Sequence, residues 1–382
     1  MKKKVIILLS IFAILNGQHN HEPWVRCNTD ELEKDLQFTN PEFFAKKQVY
    51  IDKAQRLLEE NPQWRTNNDS KATIYIPVVF HVLYQVSSDN LNKQQIGYNF
   101  DQINLDFKGT NPDGDEIPSA PNPSDAPDDP GVDYSFQGVR GIRQIEFVGA
   151  QGETSGANLI EGATILRYQI SQSTVGGVSE ASSIASNTTP DQSLWPGGSG
   201  GYKEGYMNIY IAPLTGGLLG QAWLGFPESV VLTESVGSVE NPGSVNNYDS
   251  GRTLTHELGH NFTYNHTFNA STCGFQYWND IPPQTANNRD ANIYEWPVGS
   301  GNFYGRSAVN SCLSTSGKGD QFMNYMDYSY DDQMRMFSQE QALEGYAWAN
   351  GWDWAVVVSG VSTVITSNTS YATSNDGFTV NV

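Results

Sequence analysis

Apolar and polar positions along the chain follow two periods, and together they predict an α/β core. Residues 73–84, TIYIPVVFHVLY, form a near-continuous apolar run rich in β-branched and aromatic types, the signature of a buried strand. His81 inside that run reads as a core histidine. Residues 90–107 place Leu91, Ile96, Phe100, Ile103, Leu105 and Phe107 at helical spacing and predict an amphipathic helix. Further strands are expected at 139–148, 163–172, 206–213 and 219–226, and a C-terminal helix at 339–352. Upstream, Thr39-Asn40-Pro41 opens a helix that carries Val49, Tyr50, Ala54, Leu57 and Leu58, and Asn61-Pro62 closes it. The polar run 66–70 reads as a linker, so residues 18–70 are expected to form a separate unit. Residues 111–133, dense in Pro, Asp and Asn, read as a solvated loop, and 180–201, rich in Ser and Gly, as a surface segment. The end of the chain, 353–382, is rich in Ser, Thr and Val and β-like, and the sequence has no internal repeat.

Charge removes one class of partner. With 22 basic and 42 acidic residues the net charge is −20, which excludes a nucleic-acid partner, since phosphates call for a basic surface. The amino terminus suggests a compartment. Lys2, Lys3 and Lys4 precede an apolar run at 5–15 that is too short to span a bilayer, so residues 1–17 read as a signal peptide. Secretion and no stable membrane insertion are expected. In an oxidising compartment two of the three cysteines can pair. Cys273 and Cys312 are the expected pair, and Cys27 the free thiol.

The chemistry concentrates in residues 252–268, RTLTHELGHNFTYNHTF, which holds three of the six histidines. His256 and His260 enclose Glu257 in H-E-x-x-H, and residues four apart share one helical face, so both imidazoles can reach one ion. Glu257 then stands beside that ion, placed to polarise a water. His266 lies six residues beyond His260, and a continuing helix would carry it about 240° away. It joins the site only if the helix stops and the chain bends back. Asp249 or Ser250 is placed to cap this helix.

These residues resemble the metzincin metallopeptidases, whose pattern is H-E-x-x-H-x-x-G-x-x-H followed by a Met-turn. Within that clan the chain is most similar to the pappalysin (cytophagalysin) family. The similarity runs through IPVVFHVLY at 76–84, MNIYIAP at 207–213, LTHELGH at 254–260, HTF at 266–268 and NYMDYSYDD at 324–332, and covers roughly residues 72–352. It implies a catalytic domain at 71–352 with a twisted, mostly parallel sheet, an active-site helix, a backing helix and an irregular C-terminal subdomain. It implies Zn2+ held by His256, His260 and His266, with Glu257 as general base in the hydrolysis of peptide bonds in proteins. Met326 takes the Met-turn position, and Tyr328 that of an oxyanion-stabilising tyrosine. Family members are zymogens whose pro-segment cysteine, preceded by Arg, ligates the zinc, and Arg26-Cys27 fits that role. Asp331 matches a position that selects a basic side chain after the scissile bond, which makes Trp64–Arg65 a candidate autolytic site. Calcium is the second cation the resemblance brings, near Asp280. One position departs: Thr263 stands where the family has Gly, which puts a β-branched residue at the bend. A distant carboxylate such as Glu295 is the alternative third ligand, and an inactive relative that only binds is the alternative function.

Overall fold

The computed structural model describes residues 25–30, 33–34, 41–65, 73–117, 119, 132–149, 165–169, 206–214, 217–270, 272–288, 294–295, 303–304, 310–351, 356–358, 366–367 and 380–381. The expected signal peptide, linker and surface segment at 180–201 lie outside them.

The architecture is a mostly parallel sheet with helices against it. Strand β1 is Val25–Cys27, β2 Thr73–Tyr84, β3 Ile145–Gly149, β4 Ile165–Gln169, β5 Met207–Ala212, β6 Leu218–Ala222, β7 Glu228–Leu232 and β8 Val356–Val358. The long β2 is central. It pairs in parallel with β3 and then β4 along one edge, and with β5 along the other. β7 follows β5 in parallel, while β6 runs antiparallel to β7. β1 closes that side, parallel to β6, with Cys27 opposite Gly220.

Period-two alternation sends Ile74, Ile76, Val78, Phe80 and Val82 of β2 into the main core. Helix α1 is Pro41–Glu60, α2 Lys93–Lys108, α3 Arg252–Asn261 and α4 Gln339–Gly351. Ile96, Phe100, Ile103 and Phe107 of α2 and Leu254 and Leu258 of α3 meet the β2 residues in that core. α2 starts where Asn92 accepts from the Gln95 amide at 2.9 Å and ends at Gly109, whose φ is 66°. α1 lies on α4, with Tyr50 6.0 Å from Trp348 and Trp64 edge-on to Tyr346 at 5.2 Å between ring centroids. His81 is the core histidine expected, stacked on Tyr210 and bonded to Asn208 at 2.9 Å.

The structure corrects the sequence reading in several places. β1 and β7 were not anticipated; β1 has three residues, and the ESVVL of β7 follows a tight turn at 223–226 that ends β6 early. The strand expected from residue 139 begins only at Ile145, because Gln137–Val139 is a 3-10 turn. Part of the loop expected to be solvated is buried: Pro112–Glu116 is a 3-10 turn, and Asp113 accepts from Arg252 Nη2 at 2.6 Å. Val356–Val358 of the tail adds an antiparallel strand to β2 rather than standing apart.

Glu228, at the start of β7, is buried with no charged partner among the described residues, and burial pushes its carboxyl to about 8. The folded state thus favours the protonated form, whereas the unfolded chain ionises near pH 4.5. Stability is therefore lost as pH rises from the lower value to the higher. Glu228→Gln removes that penalty. Its melting temperature is expected to exceed wild type at pH 9 and to converge with it below pH 4.5, read by calorimetry in a Glu257→Ala background; parallel curves would contradict the assignment.

Candidate metal centre

Every residue of α3 is buried. Gly251 takes the N-cap position in the left-handed conformation without a side-chain cap, so neither Asp249 nor Ser250 caps the helix as expected. The cap comes from far along the chain: Asp331 Oδ2 accepts from the Ser250 and Arg252 amides at 3.0 and 3.1 Å. A carboxylate there also meets the positive end of the helix dipole. The Arg252 side chain, fully buried, pairs with Asp106 of α2 and donates to Tyr325 Oη at 2.8 Å. This ties the active helix to the backing helix and to the turn beneath it.

The three histidines converge. His266 Nε2 lies 3.2 Å from His256 Nε2 and 3.1 Å from His260 Nε2, and Cys27 Sγ lies 3.4 Å from His260 Nε2. Each outward nitrogen has an acceptor. His256 Nδ1 reaches the Tyr325 carbonyl at 2.6 Å, His260 Nδ1 the Tyr264 carbonyl at 2.7 Å, and His266 Nδ1 the Asp30 carboxylate at 2.9 Å. A carbonyl only accepts, so the proton sits on Nδ1 and the inward Nε2 atoms are bare lone pairs. Burial, and then the neighbouring imidazoles, hold His256 far below its usual range and His260 at about 3, which keeps both rings neutral. Three lone pairs facing one another repel unless a cation lies between them. A tetrahedral Zn2+ with Zn–N of about 2.0–2.1 Å sets nitrogens about 3.3 Å apart, so the donor set fits zinc.

The bend that returns His266 is a Schellman motif. The Tyr264 amide donates to Gly259 O at 3.0 Å and the Thr263 amide to His260 O at 2.9 Å. Thr263 holds the left-handed position with φ 72°, where glycine is usual. Its hydroxyl donates to the Phe262 carbonyl and lies 3.1 Å from Glu344 Oε1 on α4, which secures the strained residue from both sides. The Glu295 side chain lies outside the described residues.

Around the triad the segment at 26–30 fills the cleft. Cys27 Sγ is 3.3 Å from Glu257 Oε2 and 3.0 Å from Thr29 Oγ1. Thr29 is itself fixed to both the amide and the carbonyl of Ala222 on β6. Burial, then the Glu257 charge, raises the Cys27 thiol, and a bound cation would act in the opposite direction. Burial also raises Glu257, against the thiol hydrogen bond and the Arg26 charge. Glu257 Oε1 has no hydrogen-bond partner among the described residues. Gly220 makes room for this carboxylate, since a Cβ there would stand 2.5 Å from Oε1. Arg26 is fully buried and donates to Asp331 Oδ1 and to Ser329 O, each at 2.9 Å.

Met326 lies under the helix, its sulfur in the space a Cβ on Gly259 would need. Tyr328 packs its ring 4.8 Å from that of His266 and donates its hydroxyl to the Cys27 carbonyl at 3.0 Å. Burial, then the Cys27 charge, raises its hydroxyl, so it stays a donor. Asp280 is engaged as a helix cap, accepting from the Glu340 amide and Ser338 Oγ at 2.8 Å each. Cys273 and Cys312 are disulfide-bonded and Cys27 is free, as expected. Sequence reasoning missed Asp30, Thr29, Gly220 and Asp327. Asp327, between Met326 and Tyr328, gathers Gln284 Nε2 at 2.8 Å and the Asn288 amide at 2.9 Å, and so anchors the loop that follows His266.

The chain is similar to known proteins over part of its length. Residues 201–346 match the Peptidase_M43 family model, described as pregnancy-associated plasma protein-A. The chain is 34% identical over 152 residues to an extracellular metalloprotease of Neurospora crassa, covering 37% of this chain and 47% of that protein. It is 35% identical over 151 residues to one of Arthroderma benhamiae, covering 37% and 46%. The aligned stretch thus spans about half the length of these curated relatives. Among solved structures, a mutant promirolysin of Tannerella forsythia superposes with TM-score 0.58 at 24% identity, covering 85% of this chain and 93% of that one. Mature mirolysin of Tannerella forsythia with a cleaved peptide gives 0.55 at 25% identity, covering 72% and 90%. The fold is therefore of the metzincin type.

The Thr263 bend is open to test in the Glu257→Ala background by urea unfolding. Thr263→Val keeps the strained φ but loses the hydroxyl, and is expected to cost about 1–3 kcal/mol; Thr263→Gly, which relieves the strain, should cost less. A valine variant as stable as its parent would show that the hydroxyl does not secure the bend.

Proposed function

We propose that this chain, which carries a Peptidase_M43 segment, is the proform of a secreted zinc metalloendopeptidase that hydrolyses peptide bonds in proteins. Residues 1–17 are its signal peptide, 18–70 the pro-segment, 71–352 the catalytic domain and 353–382 a C-terminal tail. One observation carries the reading: three buried imidazoles turn bare Nε2 atoms on one point, beside a buried carboxylate with one oxygen that no described residue bonds. The relatives named extracellular metalloproteases and the mirolysin structure with a cleaved peptide support it. Among the described residues no helix is long and apolar enough to cross a membrane.

His256, His260 and His266 would hold the zinc, which when bound would supply Lewis-acid charge to the attacking water and the scissile carbonyl. Glu257 takes a proton from that water as general base and passes it to the leaving amine. Its burial raises its proton affinity, which suits a group that must accept and then return a proton. Tyr328, freed from the Cys27 carbonyl, turns its hydroxyl toward the carbonyl oxygen that gains charge. In the proform the Cys27 thiol, beside His260 and Glu257, would offer the same ion a ligand and keep water from it. Arg26 sits on Asp331 as a basic side chain after the scissile bond would, so Asp331 selects Arg or Lys there. Cleavage at Trp64–Arg65, at the exposed end of the 3-10 turn Pro62–Arg65, follows from that preference.

Glu257→Ala is expected to lower casein hydrolysis by the activated enzyme on the order of 10²–10⁴-fold, and a zinc chelator to abolish it in wild type. Hydrolysis that survives the substitution would refute the mechanism. Cys27→Ala should activate early and autolyse, and a variant that stays intact and latent would refute the switch. Asp331→Asn should flatten the kcat/KM preference for peptides with Arg over Leu after the cut, and an unchanged preference would remove Asp331 from specificity.

A further inference from the structure

We propose that Asp30 of the pro-segment is a positioning residue for the third histidine, so that the segment that blocks the metal site also helps to build it. The inference rests on the zinc reading above. His256 and His260 hydrogen-bond through Nδ1 to the carbonyls of Tyr325 and Tyr264, both within the proposed catalytic domain. His266 differs. Its Nδ1 partner is Asp30 Oδ2 at 2.9 Å, in the segment that activation removes. Asn269, three residues past His266, donates its amide to both Asp30 oxygens at 3.2 and 3.1 Å and so fixes the carboxylate over the ring.

The position matters because His266 is the ligand that the helix does not supply. It arrives by the bend at Thr263, and its ring is otherwise held by stacking on Phe268 at 4.8 Å and by Tyr328. A carboxylate accepting from Nδ1–H fixes both the tautomer and the ring angle, and raises the basicity of Nε2. In the proform all three imidazoles therefore have their outward nitrogen tied. When the residues before the Trp64–Arg65 cut leave, His266 alone of the three exchanges its partner for solvent. Asp30 thus acts on zinc retention separately from the Cys27 thiolate.

The test uses the full-length Glu257→Ala proenzyme loaded with zinc, reading the rate of zinc transfer to a chromogenic chelator. Asp30→Ala should speed release about 10–100-fold, and Asp30→Asn, which still accepts from Nδ1 but lacks the charge, should fall between. The same factor should appear in a Cys27→Ala background, because the effect acts through His266. An Asp30→Ala rate equal to the parent's would overturn the proposal. So would an effect that disappears without the thiol, since Asp30 would then only seat Cys27. Asn269→Ala loosens the carboxylate without touching the ring and should give a smaller acceleration; should Asp30→Ala fail to fold, no acceleration here overturns the proposal. A parent chain that takes up no zinc at all would overturn the functional reading together with this one.

Discussion

Three imidazole lone pairs pointed at one another are the constraint on which the rest of the structure depends. Each is aimed inward because its other nitrogen is bound outward, to the carbonyls of Tyr325 and Tyr264 and to the carboxylate of Asp30. The carbonyls are in place only if the turn around Met326 lies beneath α3 and the bend at Thr263 follows it. The Arg252–Asp106–Tyr325 network and the Asp331 cap serve that placement, since both fix the start of α3 against α2 and the turn. Gly259 and Gly220 serve it by omission: side chains there would displace Met326 and Glu257.

The segment at 25–30 answers the same geometry from the open side. Its strand β1 extends the sheet at β6, and each residue that follows meets its own partner. Arg26 neutralises the buried Asp331, Cys27 faces the histidines and Glu257, Thr29 bonds the β6 backbone, and Asp30 binds His266. Asp331 serves both sides, because one of its oxygens caps α3 and the other accepts from Arg26.

Much of this was legible in the sequence where local signals are strong. The apolar run of β2, the helical spacing of α2 and the H-E-x-x-H spacing each follow from a single period, and each appears where expected. The cysteine pairing was legible from the odd count and the expected export. What stayed hidden depends on partners distant in the chain. Asp331 caps a helix about 80 residues before it, and Asp30 meets a ring more than 200 residues after it, so no local pattern marks either. Asp113 looked like one more acidic residue in a proline-rich loop until Arg252 placed it. Thr263 marked the one departure from the family pattern, and its side-chain bonds to Phe262 and Glu344 show how a β-branched residue occupies a glycine's position.

Whether these side chains surround one zinc ion is read by X-ray absorption at the zinc edge on the purified full-length chain. One zinc per chain is expected, with three nitrogen neighbours at about 2.0–2.1 Å and one sulfur at about 2.3 Å. A zinc shell without sulfur, or with fewer than three imidazoles, would contradict it.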